Sequence, residues 1–271
     1  MMSIRPLSKQ FSTGLLLSLA LAFCGQGLRA EVITLGANLK CPYVCDESPE
    51  LPGILVEIAK HAFSRTGHQI QVIYLPWSRA LRYAELGEIS GVIGVLRRNA
   101  PTFRYPKVPQ AVSVIQFFTL ATSSWEYQGL RSLTPVRIGV TQDNSCGSMD
   151  SYIRRYHHTE KVMEVSSESA IQQLLRGLRR GRINALLEDQ NVLNYQLQQQ
   201  GGLIDLKPAG KLSAENMYIA FHPQHPRASQ FASLVGNEMK ELRRSGELLK
   251  IYRKYGVTPY AAEETASAGS R

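Results

Sequence analysis

Short apolar runs alternate with segments of helical periodicity along most of the chain. The run VITLG at 32–36 is followed by residues 52–67, in which apolar side chains recur at helical spacing up to Gly67. The stretches QIQVIY and GVIGV have the composition of further strands, and Pro76 opens a helix between them. The pattern predicts a β-α-β-α-β unit in the first half of the chain.

The second half of the chain repeats this order. The strand VRIGV at 136–140 precedes a helix near 146–156, the strand KVMEV, the amphipathic helix SESAIQQLLRGLRR and the strand INALL at 183–187. GEISGVI from Gly87 and GRINALL from Gly181 share one form, in which a glycine ends a helix and a buried strand follows. Two such units predict an α/β protein with two parallel-sheet lobes.

Two extended segments are predicted to connect the lobes. VSVIQFFTLATSSWEY lies between the units and MYIAFH follows the second, so the chain is expected to cross near 120–127 and to return near 215–221. Two helices then follow Pro226, and the chain ends in a polar segment whose composition is typical of disorder. The predicted division is lobe one at 31–121 plus 220–258, lobe two at 122–219, and a disordered tail at 259–271.

The first 30 residues are typical of an export signal. Arg5 and Lys9 precede the ten-residue apolar run GLLLSLALAF, and Ala30 offers a cleavage point before Glu31. A run of this length is too short to span a bilayer as a stable helix. We therefore interpret residues 1–30 as a secretory signal peptide and expect the protein in the periplasm.

The charge balance is moderately basic, with 31 Lys and Arg against 22 Asp and Glu. Three of the basic residues and none of the acidic ones lie in the predicted leader, so the remaining 241 residues carry an excess of six positive charges. The densest cluster, Arg179, Arg180 and Arg182, is more typical of a solvated helix end than of a nucleic-acid surface, because export removes that partner. A length of 241 residues suffices for two lobes with cores.

Cysteine spacing raises a question about the stretch KCPYVC. Cys41 and Cys45 have three residues between them, whereas a thioredoxin-like redox pair has two, and the histidines supply no zinc-ligand spacing. In an oxidising compartment two close cysteines usually pair, and the odd one, here Cys146, is usually buried. The favoured interpretation is a disulfide closing a tight loop, with redox or metal chemistry as the alternatives.

Polar residues follow the predicted strands at the positions where ligands bind in open parallel sheets. Lobe one offers Arg97 and Arg98, and lobe two offers Glu188 and Asp189. Further polar residues after the strands are Asn38, Lys40, Thr141, Gln142, Asp143, Asn144 and Ser145. Opposite charges on the two walls suit a zwitterion, although the same charges could instead pair with each other or face solvent.

Several segments in this order resemble the family 3 periplasmic solute-binding proteins of the amino-acid-binding type. The segments are LPGILVEIAKHAF, LPWSRALRYAELGEISGVIGV, APTFRYP, VRIGVTQDNSCGSMDSYI, GRINALLED and YIAFHPQHPRASQFASLVGNEMKELRRSGELLKIYRKYG. The resemblance covers nearly all of 31–258, and the CPYVC loop is similar to that of a Gram-negative branch of the family. It implies a periplasmic-binding-protein-like type II fold with two hinge strands, a monomer without a cofactor, and an ABC permease as partner.

The resemblance also implies roles for individual residues. Asp189 matches the aspartate that takes the ligand ammonium, and Asn144 and Ser145 match a donor loop. Trp77 matches an aromatic position at the cleft edge, and Tyr43 lies near the aromatic lid position, which is Lys40 here. The carboxylate-binding arginine is expected at the position of Thr102, so Arg97, Arg98 or Arg104 would have to substitute.

The resulting expectation is a non-enzymatic binding protein that captures a small polar solute, an amino acid or a related zwitterion or anion, and delivers it to an ABC importer. A ligand-sensing module on the same scaffold is one alternative. Another is a periplasmic enzyme similar to cyclohexadienyl dehydratases, for which Glu188 is the candidate acid or base.

Overall fold

The computed structural model describes residues 31–45, 50–142, 146–167, 169–199, 201 and 205–260. The predicted signal peptide, Asn144, Ser145 and residues 261–271 of the predicted tail lie outside the described residues. Within the described part of the chain, no helix combines the length and apolar character needed to cross a membrane.

Eight strands and seven α-helices form the described part of the chain. The strands are β1 Val32–Ala37, β2 Gln69–Tyr74, β3 Gly91–Leu96, β4 Ala111–Leu120, β5 Ile138–Thr141, β6 Val162–Val165, β7 Ala185–Asp189 and β8 Leu206–Phe221. The helices are α1 Ile54–Ser64, α2 Trp77–Glu85, α3 Asp150–Tyr156, α4 Ala170–Arg179, α5 Gln190–Gln199, α6 Ala228–Ser245 and α7 Glu247–Lys254. Both predicted β-α-β-α-β units are present.

All eight strands belong to one sheet in the order β2-β1-β3-β8-β4-β7-β5-β6. Strands β1, β2 and β3 are parallel to one another at one end, and β5, β6 and β7 are parallel at the other. Strands β4 and β8 lie between these groups and pair antiparallel with each other and with their outer neighbours. The predicted α/β class with two parallel groups joined by two strands is therefore confirmed.

Strand β8 is much longer than the short strand MYIAFH that the sequence predicts. It begins at Leu206, which pairs with Leu120, and the register between β4 and β8 shifts twice along their length. Pro208 and Gly210 lie in its first half and weaken the strand signal, yet pairing with β4 holds that half extended. The lobe boundaries at 121/122 and 219/220 stay a prediction.

Helix α5, Gln190–Gln199, is absent from the elements that the sequence pattern predicted. Its amphipathic signal is weak, because polar residues make up most of it and Val192 and Leu193 are its main buried apolar side chains. The residue before it carries a clearer signal. Asp189 accepts hydrogen bonds from the backbone N–H groups of Asn191 and Val192, which is the arrangement of a helix N-cap.

The two glycines of the predicted repeat occupy equivalent places. Gly87 follows α2 with φ 74° and Gly181 follows α4 with φ 66°, a left-handed conformation that glycine adopts without steric cost. Each precedes a buried strand, β3 or β7. The repeat in the sequence therefore corresponds to a repeat in the fold.

The C-terminal helices pack against α1. Phe63 makes edge-to-face contacts with Phe221 and Phe231, so the helix α6 is held against α1 and the end of β8. The Glu57 carboxylate accepts hydrogen bonds from Lys254 Nζ at 2.5 Å and Tyr255 Oη at 2.7 Å. Glu57 thus joins α1 to the C-terminal segment of the fold.

Candidate functional site

The CPYVC loop is a disulfide-closed turn seated on the start of α1. Cys41 and Cys45 form a disulfide, so the interpretation of this pair as a disulfide that closes a tight loop is confirmed. The backbone N–H groups of Ile54 and Leu55 donate to the carbonyl oxygens of Pro42 and Tyr43, at 2.8 and 3.0 Å. The first N–H groups of a helix have no partner within the helix, and the loop supplies partners here.

Tyr43 extends from this loop to the far half of the sheet. Its side chain is 1% exposed, and its hydroxyl lies 3.1 Å from Asp189 Oδ1. The same hydroxyl accepts a hydrogen bond from Asn191 Nδ2 at 3.2 Å. Burial and the neighbouring Asp189 charge raise the pKa of Tyr43 well above its ordinary value, so the phenol stays protonated and donates. The disulfide-closed loop after β1 therefore carries a tyrosine that is hydrogen-bonded to the end of β7.

The Asp189 carboxylate is fully buried and has four donor groups around it. Besides the Tyr43 hydroxyl, Ser113 Oγ donates to Oδ2 at 2.6 Å, and the N–H groups of Asn191 and Val192 donate to Oδ1 at 2.9 and 3.1 Å. A buried carboxylate needs such donors to offset the loss of water. In this structure Asp189 therefore caps α5 and joins β4, β7 and the CPYVC loop.

A cleft lies between the two parallel groups of strands. Its larger part has a volume of about 350 Å³ and lies between the Asn38–Cys41 segment and residues of the far half. Those residues are Thr141, Gln142, Val165, Ser166, Ser167, Ala170, Ile171, Glu188, Val192 and Gln196. A smaller part, about 100 Å³, is lined by Trp77, Gly94, Asn99, Ser113 and Glu215 among others. Asn38 and Lys40 line both parts.

The carboxyl ends of all six parallel strands contribute to this cleft. Asn38 follows β1, Trp77 follows β2 and Asn99 follows β3. From the other half, Thr141 ends β5, Ser166 follows β6 and Glu188 lies at the end of β7. Ligands of open parallel sheets bind at this edge, so the cleft is the candidate site.

Glu188 is the buried acid of the larger part of the cleft. Its side chain accepts hydrogen bonds from Thr141 Oγ1 at 2.8 Å and from the Asp189 N–H at 2.9 Å. Burial raises the pKa of Glu188, and the nearby positive charge of Lys40 and these hydrogen bonds offset part of that rise. Among the described residues, Lys40 forms no ion pair and its ammonium has no hydrogen-bond partner.

The two predicted arginines do not present free guanidinium groups to the cleft. Arg97 stacks between the rings of Tyr105 and Tyr218, at 4.4 and 4.7 Å from their centroids. Arg98 binds Glu215 through two hydrogen bonds, Nε to Oε2 at 2.7 Å and Nη2 to Oε1 at 3.2 Å. These two hydrogen bonds hold Arg98 against Glu215, which lines the smaller part of the cleft.

Of the other predicted positions, Trp77 lies at the cleft, and Thr102 and Arg104 lie outside it. Trp77 is half-buried at the start of α2 and lines the smaller part of the cleft. Thr102 and Arg104 are exposed, and Arg104 lines a separate surface groove with Lys107 and Lys240. The structure thus brings Tyr43, Trp77, Glu188 and Asp189 to one region and leaves Thr102 outside it.

Cys146 is buried beside this region and forms no disulfide with another cysteine of the described residues. Burial raises the pKa of its thiol to about 12, and the nearby carboxylates add to the rise. A thiol in this state is a poor nucleophile at neutral pH. No group of three or more His, Cys, Asp or Glu side chains suited to a metal ion occurs in the described ranges.

Comparison with known proteins places the fold. No protein-family model matches the chain, and no curated protein matches it in sequence. Solved structures do match. A histidine kinase sensor domain with similarity to periplasmic binding proteins has a TM-score of 0.64 and 18% identity over 86% of this chain and 99% of its own. The fold is periplasmic-binding-protein-like.

Two further structures with this fold were solved as ligand-binding proteins. The GluR0 ligand-binding core from Nostoc punctiforme, in complex with L-glutamate, has a TM-score of 0.61 and 15% identity over 83% of this chain and 99% of its own. The substrate-binding protein of an amino acid ABC transporter has a TM-score of 0.58 and 15% identity over 83% and 99%. At these identities the likeness concerns the fold.

Sequence reasoning missed two polar residues that this fold brings to the cleft. Ser113 lies in the apolar run of β4, and Glu215 lies in the polar half of β8. A serine within a run of buried apolar residues was the available signal for the first. The second had no local signal, because its place depends on the full length of β8 and on pairing with Arg98.

Proposed function

We propose that this protein is a solute-binding protein that captures a small polar solute between the two halves of its sheet. One observation supports this most strongly: the carboxyl ends of all six parallel strands line one polar cleft with a volume suited to a small molecule. Contacts made by the solute to both halves would favour the closed arrangement over an open one, as expected for differential affinity.

The proposed ligands are amino acids and related zwitterions or anions. The cleft offers hydroxyl and amide groups from Ser166, Ser167, Gln142 and Asn38, together with the Lys40 ammonium. The predicted donors Asn144 and Ser145 lie two and three residues after Gln142 in the sequence and belong to the same proposal. Such groups bind carboxylates and polar substituents by hydrogen bonding.

A thermal-shift screen of the purified protein tests the proposal. The panel contains the standard amino acids, small dicarboxylates, hydroxy acids and opines. A ligand present at a hundred times its dissociation constant stabilises the fold by about 2.7 kcal/mol, which gives a visible shift. A selective shift with one chemical class is the expected result, and no shift with any member of the panel would contradict the proposal.

Delivery to an ABC importer in the inner membrane is the partner function that we propose. It predicts that removing the gene abolishes cellular uptake of the radiolabelled ligand found in the screen, while a plasmid copy restores it. Unchanged uptake, together with loss of a transcriptional response to the same ligand, would instead favour a sensor partner.

We propose no catalytic step. A dehydratase needs an acid or base beside the reacting carbon, and Glu188 is the candidate. Glu188 is 1% exposed and its carboxylate accepts from Thr141 and the Asp189 N–H, which supports a structural role. Incubation of the protein with each ligand that shifts its melting should leave the ligand's NMR spectrum unchanged, and a new product would overturn this part of the proposal.

A further inference from the structure

The carboxylates at the cleft already have partners within the protein. Asp189 accepts from four donors, including the Tyr43 hydroxyl, and is fully buried. Glu215 is paired with Arg98, and Glu188 accepts from Thr141 and the Asp189 N–H. A ligand ammonium that approached Asp189 would have to displace one of these donors from a buried site. A ligand ammonium would therefore have to take the place of an existing partner to pair with any of these three carboxylates.

Lys40 is the cation at the centre of the cleft, and its ammonium, unlike these carboxylates, has no such partner among the described residues. Lys40 borders both parts of the cleft, and in the described part of the chain its ammonium makes neither a hydrogen bond nor an ion pair. The backbone of Lys40 is fixed, because its N–H donates to the Val44 carbonyl and its carbonyl accepts from Tyr43 and Val44. The ammonium is thus carried on a rigid turn that the Cys41–Cys45 disulfide closes.

We propose that Lys40 is the specificity-determining residue for a small organic anion that lacks an ammonium group. Tyr43 occupies the acceptor Asp189, and Lys40 binds the ligand carboxylate. The hydroxyl and amide groups of Ser166, Ser167 and Gln196 then face the remainder of the ligand. We expect a hydroxy or oxo acid to bind more tightly than the corresponding α-amino acid, because its oxygen can accept from these groups. A ligand ammonium would need a counter-charge, and the carboxylates Asp189, Glu188 and Glu215 already have partners.

This inference rests on the proposed solute-binding function and narrows its ligand class. The test compares compounds that differ only at the amino group. Isothermal titration is carried out with L-glutamate, 2-hydroxyglutarate and 2-oxoglutarate, and with the corresponding three-carbon and four-carbon sets. We expect an oxo or hydroxy acid to bind at least about 10-fold more tightly than its amino acid, since burying a charge without a partner is costly.

Variants at position 40 provide the second arm of the test. K40Q should weaken binding of the best acid about 10- to 100-fold, the range expected when a charge-assisted hydrogen bond is lost. K40R keeps the charge and should retain most of the affinity. K60Q is the matched control. Lys60 is exposed on α1, away from the cleft, and its replacement by glutamine changes the net charge by the same amount.

The outcomes separate the inference from the proposed function. Tighter binding of the amino acids, or equal affinity of K40Q and the wild type, would overturn the role of Lys40 while leaving a solute-binding protein. Equal weakening by K40Q and K60Q would show a general effect of net charge and would also overturn it. No binding of any acid or amino acid would overturn both.

Discussion

Replacing Tyr43 by phenylalanine tests the link between the stapled loop and the far half of the sheet. The substitution keeps the buried ring and removes only the hydroxyl, which donates to Asp189 and accepts from Asn191. Hydrogen bonds to charged groups contribute about 1.5–3 kcal/mol, and those of Tyr43 are long, at 3.1 to 3.3 Å. We therefore expect the free energy of unfolding to fall by about 2 kcal/mol.

The assay is thermal and urea unfolding of Y43F beside Y83F. Tyr83 lies half-buried on α2, and its hydroxyl has no partner among the described residues, so its loss should change stability little. For a chain of this size each kcal/mol moves the melting temperature by about 2–4 °C, which predicts a fall of about 4–8 °C for Y43F. Equal melting of the two variants would refute the account of Tyr43 as a buried donor.

Three further predictions follow from contacts in the fold. Reduction of the Cys41–Cys45 disulfide should lower the free energy of unfolding by about 2 kcal/mol, which is the chain-entropy value for a five-residue loop. It should also weaken ligand binding. Unfolding and ligand titration, each with and without reductant, measure the two effects. E57A should cost about 2–4 kcal/mol in urea unfolding, because it leaves a buried tyrosine hydroxyl and a lysine without their acceptor. E188Q should gain in melting temperature relative to the wild type as pH rises from about 4 to about 8.

The sign of the last prediction follows from proton linkage. Burial raises the pKa of Glu188 above its value in the unfolded chain, so the folded protein holds the proton more readily. The stabilisation that comes from this raised pKa is complete at pH values below the ordinary pKa range of glutamate. It is lost as the pH rises through the raised pKa of the folded protein. The neutral glutamine avoids that loss. A melting difference that does not change with pH would contradict this reasoning.

Each of the other two predictions also has a control. The variant with both cysteines replaced by serine should melt at the same temperature with and without reductant, and a response to reductant would point to another cause. E241A removes an exposed carboxylate that is paired with Arg244, so it should leave the free energy of unfolding almost unchanged. An equal effect of E57A and E241A would contradict the buried role of Glu57.

The sequence predicts most of the fold because its signals are local. The helices that end before Gly87 and Gly181, the apolar strands that follow them, and the helical period around Phe63 all depend on residues close in the chain. The sequence pattern predicts only the end of β8 and gives no helix at α5, because these elements depend on partners elsewhere: β4 pairs with the polar half of β8, and Asp189 caps α5. Tertiary pairing overrides weak local propensity at both places.

The candidate site was less predictable than the fold. The carboxyl ends of parallel strands meet at one edge, so the sequence places Glu188 and Lys40 near a common edge of the sheet, and both line the cleft in the structure. It cannot show that Arg97 stacks on two tyrosines, since those partners come from β8 and the loop before β4. The engagement of Asp189 by Tyr43 likewise joins residues 146 positions apart and has no local signal.

A crystal structure of the protein with the acid that gives the largest thermal shift tests the central claim most directly. The account predicts ligand density between the two halves of the sheet, with a carboxylate oxygen within hydrogen-bond distance of Lys40 Nζ and the remainder of the ligand near Thr141 and Ser166. Density at the separate groove of Arg104 and Lys240, with the cleft filled only by water, would contradict it.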